Sequence, residues 1–239
     1  MLRYPISTLL YLAKINIKDK IQDALKLHNN IDIRVEAKVI DKNGKIIKVH
    51  KQKSHSFLMN FLALLTSAFV NKANSIIGYY YFKSTSGAWF SDDGSNTNLS
   101  SFLLMNDTNN DSTYGIVVGT GTATPTPNDD NLGNQIVNGT GSGQLVYGAH
   151  SINPAPGTSQ IQGQSTKPTS GILTPSGNTT SWQISRTFQN QSGASITVSE
   201  VGILVNTRAY SADWIYVLII HDLLSSAITI PNGGVLAIT

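Results

Sequence analysis

The chain predicts a mainly β fold, an antiparallel β-sandwich or jelly roll, preceded by an N-terminal amphipathic helix and interrupted by one short buried helix. Three observations predict it. Beyond residue 72 the apolar segments are short and separated by loops rich in Gly, Ser, Thr, Asn and Pro, and several short strands with turn signals between them build sandwiches and jelly rolls. From Ile31 apolar and polar residues alternate, the period of a half-buried strand. Only two stretches, residues 1–27 and 56–70, repeat their apolar residues at helical steps.

Residues 1–30 are read as a docking helix. Ile6, Leu9, Leu10, Ala13, Ile17, Ile21, Ala24 and Leu25 recur at three- and four-residue steps and draw one apolar stripe. The longest apolar run covers only residues 9–13, too short to span a membrane and without the order of a secretory signal. The expected partner of the stripe is protein, in this subunit or the next.

The remaining residues, 31–239, are read as one β domain. In its first part, 31–53, Ile31, Ile33, Val35, Ala37 and Val39 alternate with Asp32, Arg34, Glu36 and Lys38. Asp41-Lys42-Asn43-Gly44 then offers a hairpin turn before Ile46, Ile47 and Val49. The expectation is a two-stranded ribbon with one apolar face. Ser56 is placed to cap the helix over 56–70, where Phe57, Leu58, Phe61, Leu62, Leu64, Leu65, Ala68 and Phe69 leave few polar positions and imply burial. Strands follow between 76 and 239, at residues 79–82, 102–105, 116–118, 145–147, 182–188, 196–205, 214–220 and 235–238. The stretch near 150–181, with Pro154 and Pro175 in it, is an exposed excursion.

The segment GIVVGTGTATPTPNDD, from Gly115, places a glycine-rich loop directly after a strand, the position of a phosphate-binding turn. Such a turn needs a helix behind it to offer amide N–H groups to the phosphate. Here Thr124-Pro125-Thr126-Pro127 follows, and alternating prolines favour an extended path. The loop is therefore read as a connection rather than a nucleotide site, and no cofactor is expected.

Charged residues are 13% of the chain, against roughly 25% in ordinary soluble domains. Ser, Thr, Asn, Gln and Gly must cover the surface instead. The net charge of +3 is uneven: residues 1–83 hold 14 Lys/Arg against 5 Asp/Glu, a balance of +9, and residues 84–239 hold 3 against 9, a balance of −6. Lys38, Lys42, Lys45, Lys48, Lys51 and Lys53 are read as the solvated face of the ribbon, allowing weak contact with nucleic acid or lipid headgroups. The chain has no cysteine, which rules out disulfides and thiolate-held metals. His28, His50, His55, His150 and His221 are scattered, with no pair at the i, i+4 spacing of a helical zinc site.

Arg186 and Glu200 stand out. Trp182, Ile184, Arg186 and Phe188 share one strand face, and Ile196, Val198, Glu200, Gly202 and Leu204 share another beyond the turn Asn190-Gln191-Ser192-Gly193. Period-two counting thus buries both charges on strands expected to pair, and the expectation is a structural ion pair.

The segments DKNGKIIKVHKQKSHSFLMNFLALL, DSTYGIVVGTGTATPTPNDDNLGNQIVNGTGSGQLVYG, SWQISRTFQNQSGASITVSEVGILV and YVLIIHDLLSSAITIPNGGVLAIT stand in this order. In that order the chain resembles jelly-roll-like virion structural proteins of tailed phages and archaeal viruses, over roughly residues 31–239. The resemblance implies a ring or spike component of a tail, connector or vertex, located in the virion. Its partners would be further copies of itself and other virion proteins, and it brings no catalytic residue and no small-molecule substrate.

An alternative class is a carbohydrate- or receptor-binding module, in which Trp89, Trp182, Trp214, Tyr79, Tyr80 and Tyr81 would stack on sugars. A glycoside hydrolase needs two carboxylates about 5–10 Å apart. Asp92-Asp93 and Asp129-Asp130 are merely adjacent in polar loops, so an enzyme is not expected. Six Asn-x-Ser/Thr acceptors, at Asn98, Asn106, Asn110, Asn138, Asn178 and Asn190, fall in polar loops or turns where glycans would be tolerated.

Overall fold

The structure is a computed structural model that describes residues 32–54, 56–69, 80–92, 109–154, 182–208 and 214–239. The stripe from Ile6 to Leu25, the run at 102–105 and most of the excursion at 150–181 lie outside the described residues. Arg34–Thr239 forms one compact unit.

The described elements are mainly β: β1 (Arg34–Ile40), β2 (Ile46–Lys53), β3 (Tyr80–Lys83), β4 (Trp89–Asp92), β5 (Gly115–Gly119), β6 (Val146–Pro154), β7 (Trp182–Gln189), β8 (Ile196–Arg208), β9 (Trp214–Ile230) and β10 (Val235–Ile238), with one helix, α1 (Met59–Phe69), after β2. All ladders are antiparallel. One sheet has the order β2-β1-β10-β7-β6, a second the order β5-β8-β9, and β3 and β4 form a two-stranded sheet. Val39, Phe188 and Leu236 of the five-stranded sheet share one buried hydrophobic cluster with Val118, Val198 and Ile228 of the three-stranded sheet.

β1 behaves as its alternation predicts, with Val35, Ala37 and Val39 buried and Glu36 and Lys38 on the other face. The Asp41 carboxylate accepts the amides of Asn43 and Lys45, and Gly44 takes φ +80°, so the turn forms at the predicted residues.

β2 departs from the expected apolar face. Its register sets Lys48, His50 and Gln52 opposite Val39, Ala37 and Val35, and leaves Ile46, Ile47 and Val49 about half exposed. The cause lies in β9, whose pairing with β8 shifts between Val198/Glu200, because Val198 faces Ile228 while Glu200 faces Leu223. Residues looped out of a ladder leave backbone groups to be satisfied elsewhere. Lys48 donates to the Ala227 carbonyl, Gln52 donates to the Leu223 carbonyl, and Gln52 accepts from the Ser225 amide. The polar side chains of β2 point inward because this bulge needs them.

α1 and the residues before it run beside β9. Leu58 donates its amide to Ile219, and Ser56 accepts from the His221 amide. Buried Asn60 donates to the Lys83 and Leu218 carbonyls and accepts from the Lys83 amide. One amide side chain thereby ties α1 to β3 and β9.

Candidate functional site

The site is built around β5, whose residues Gly115–Gly119 are all buried. β5 pairs with β8 from Gly115↔Leu204 to Gly119↔Glu200. From its end the chain leaves as the glycine- and proline-rich loop and returns at Gln135, with Thr120 donating to Asn134 and Ile136 donating to Val118. Residues 119–135 are called the strap below.

Glu200 is fully buried. Its Oε1 accepts the amides of Gly121 and Asn134, each at 2.8 Å, and its Oε2 accepts the amide of Gly133 at 2.9 Å. The glycines permit this approach: a Cβ on Gly119 would lie 2.3 Å from Glu200 Oε1, and one on Gly121 2.5 Å from it. The loop thus does form an amide cradle for an anion, and the anion is a carboxylate of the same chain.

His221 supplies the fourth hydrogen bond. It sits on β9 opposite Gly202, diagonal to Glu200 across the ladder. Its Nε2 lies 2.9 Å from Glu200 Oε2, and its Nδ1 lies 2.7 Å from Asp129 Oδ2 in the strap. Asp129 also accepts the Thr126 amide and hydroxyl. Burial works against the charge on Glu200, but the hydrogen bonds from His221, Asn134, Gly133 and Gly121 outweigh it and hold the carboxyl at about 2. For His221 burial likewise disfavours the cation, yet Glu200 and Asp129 together raise its value above the ordinary 6.5. Hydrogen bonds to two ionised carboxylates require the imidazolium, since the neutral ring carries a single N–H. With both nitrogens engaged, the ring joins the strap to the β8–β9 ladder.

The strap is also fixed from outside. Lys83 Nζ lies 2.7 Å from Asp130 Oδ2, and Asn131 donates to the Thr85 carbonyl at 2.8 Å, so the strap is fastened to the β3–β4 hairpin. Met59 donates its amide to Pro127 at the start of α1.

Arg186 is buried as the counting predicts, but its expected partnership with Glu200 is corrected. β7 pairs with β10 and β6, while β8 pairs with β5 and β9, so the two charges belong to different sheets. Arg186 Nε donates to the Gly148 carbonyl, Nη1 to those of Tyr114 and Ile116, and Nη2 to that of Asp111. Its guanidinium stands 4.7 Å from the Tyr147 ring centroid and 6.0 Å from that of Phe188. Burial draws its pKa down to about 10, with Tyr147, Asp111 and Tyr114 acting in the opposite direction.

The turn at 190–193 explains the missed pairing. Asn190 is completely buried; its Nδ2 donates to Ala194 and Ile230, and its Oδ1 accepts from the Ser192 amide and hydroxyl. This corner carries the chain from one sheet to the other. Asn190 therefore cannot bear a glycan in the folded protein, which corrects its reading as an acceptor. Asn110 is exposed at φ +63°, and Asn138 is half-buried with its side chain accepting the Tyr147 amide. Asn98, Asn106 and Asn178 lie outside the described residues.

Of the aromatic residues considered for sugar stacking, Tyr81, Trp89 and Trp214 are exposed. Lys83 faces Trp89 and Tyr81 faces Ser91 in the β3–β4 ladder, which places Tyr81 and Trp89 diagonally on one face. Tyr79 and the side chains of Tyr80 and Trp182 lie outside what is described. Among the described residues no cluster of three or more His, Cys, Asp or Glu is arranged to hold a metal, and no helix is long and apolar enough to cross a membrane.

Sequence counting had no motif for His221 and Asp129. The signal available was His221-Asp222 inside the apolar run YVLIIHDLL, where a polar pair in a buried strand calls for partners. No protein-family model, curated protein or solved structure matches this chain.

Proposed function

We propose that the chain is a structural protein of a virus particle, a self-associating ring or spike component of a tail, connector or vertex, built on a jelly-roll-like sandwich. The observation that carries the reading is β2. It is an outer strand of the five-stranded sheet among the described residues, and it presents exposed Ile46, Ile47 and Val49 beside lysines. An outer strand with half-exposed β-branched residues is a surface on which another strand or sheet can settle. The order of the four segments that resemble virion proteins supports the same assignment, and the stripe from Ile6 to Leu25 would supply docking to other virion proteins.

A second reading, a carbohydrate-binding module, is favoured by Tyr81 and Trp89 on one exposed face beside the Lys83–Asp130 ion pair. Light scattering of the full chain, alone and with Ile47→Asp and Val49→Asp introduced together, tests the first reading. A discrete multimer that falls apart in the variant is expected. A wild-type chain that remains monomeric at high concentration would overturn it. Should that monomer bind immobilised glycans through Trp89, the second reading would replace it.

A further inference from the structure

We infer that His221 is a pH-operated latch: as an imidazolium it ties the strap to the β8–β9 ladder through Asp129 and Glu200, and its deprotonation loosens the strap.

The ring bridges two carboxylates, at 2.7 Å from Asp129 and 2.9 Å from Glu200, and its side chain is 4% exposed. One proton on the ring serves one carboxylate; two serve both. Loss of a proton leaves one carboxylate facing a bare nitrogen lone pair, with two buried or half-buried anions no longer separated by a cation. Of the two, Glu200 keeps its three amide donors. Asp129 keeps only Thr126, a neighbour within the strap itself. The contact expected to fail is therefore Asp129–His221, which holds the middle of the strap, while Glu200 keeps the strap's two ends.

The surroundings leave His221 as the group that titrates. From β8 it faces Glu200, and from the strap Asp129; Asp130 beside it is paired with Lys83. Asp222 follows it on β9 and, opposite Val201, takes the other face of the ladder. Ser56, Phe57 and Leu58, which run beside β9, carry no charge. The direction follows from the raised folded value: the latch's contribution is complete below 6.5, the ordinary imidazole value, and is lost as pH rises through the folded one. Glu200, held at about 2, sets the acid limit. Its contribution is complete above the ordinary 4.5 and is lost as pH falls toward 2.

Hydrogen exchange in the full chain tests this. The amides of Thr126 and Asp129 in the strap, and that of Met59, which donates to Pro127, are followed from pH 6 to 9 and corrected for intrinsic rate against amides of the β1–β10 ladder. Strap opening should rise about tenfold per pH unit above 6.5 until His221 has lost its proton. The reference ladder should stay flat. His221→Gln should open the strap at pH 6 and abolish the pH dependence. Strap amides that track the reference ladder across the range overturn the latch, as does a glutamine variant that keeps the rise. Where the variant does not fold, the ring's own titration decides by NMR. A midpoint above 6.5 supports the latch, and one at or below it overturns it.

Discussion

At the N-terminal end of β5 a buried cation gathers carbonyl oxygens, and at its C-terminal end a buried anion gathers amide N–H groups. Arg186 takes the carbonyls of Asp111, Tyr114 and Ile116 on one side, and Glu200 the amides of Gly121, Gly133 and Asn134 on the other. Both charges are satisfied mainly by backbone groups, whose hydrogen bonds offset part of the cost of taking an ion out of water. The difference lies in the remaining partner. Arg186 lies against the rings of Tyr147 and Phe188 and, with its pKa at about 10, keeps its charge throughout the neutral range. Glu200 leans on His221, whose charge is adjustable. One end of β5 is fastened permanently and the other conditionally.

The largest effect is expected at the permanent end. Arg186→Met preserves apolar volume but leaves four carbonyls without a charged donor, and should cost about 4 kcal/mol in urea unfolding. A cost below about 1 kcal/mol would mean that the segment around 111–116 finds other donors easily. At the conditional end, Gly119→Ala would force a Cβ to 2.6 Å from the Asn134 carbonyl as well as into Glu200. It should cost about 2–3 kcal/mol, and limited proteolysis should reveal new cuts confined to the strap. Cuts elsewhere would show that the cradle supports the whole sheet.

The smallest expected quantity is the coupling between the two ends. The residues share no hydrogen-bond partner, so Arg186→Met and Glu200→Gln should combine in a double-mutant cycle with a coupling under about 0.5 kcal/mol. A larger value would show that β5 transmits strain from one end to the other.

Local chemistry made much of this fold legible. The alternation from Val35 to Val39, the Asp41–Gly44 turn and the burial of Arg186 and Glu200 all follow from period and turn residues. What failed required knowledge of register. The outward Ile47 and Val49 depend on a bulge in β9, and that bulge runs through Leu223 and Ala227, which lie beyond the strand expected at 214–220 but inside the observed Trp214–Ile230. β4 escaped notice because Trp89-Phe90-Ser91-Asp92 is short and half polar. The partners of Arg186 and Glu200 were misassigned because a buried Asn190 turns the chain between sheets, where a Gln-Ser-Gly turn suggests a hairpin. The candidate site was visible as a glycine-rich loop, but its occupant lies 66 to 79 positions away.

The Asn190 corner also bears on how the chain can be made. Its side-chain nitrogen, which donates to Ala194 and Ile230 in the finished protein, is the atom to which an N-linked sugar would be attached. Attachment during synthesis would come before the corner closes. In a compartment that glycosylates Asn-x-Ser, modification and folding would thus compete for one nitrogen, and each chain that lost the competition would be barred from joining its two larger sheets.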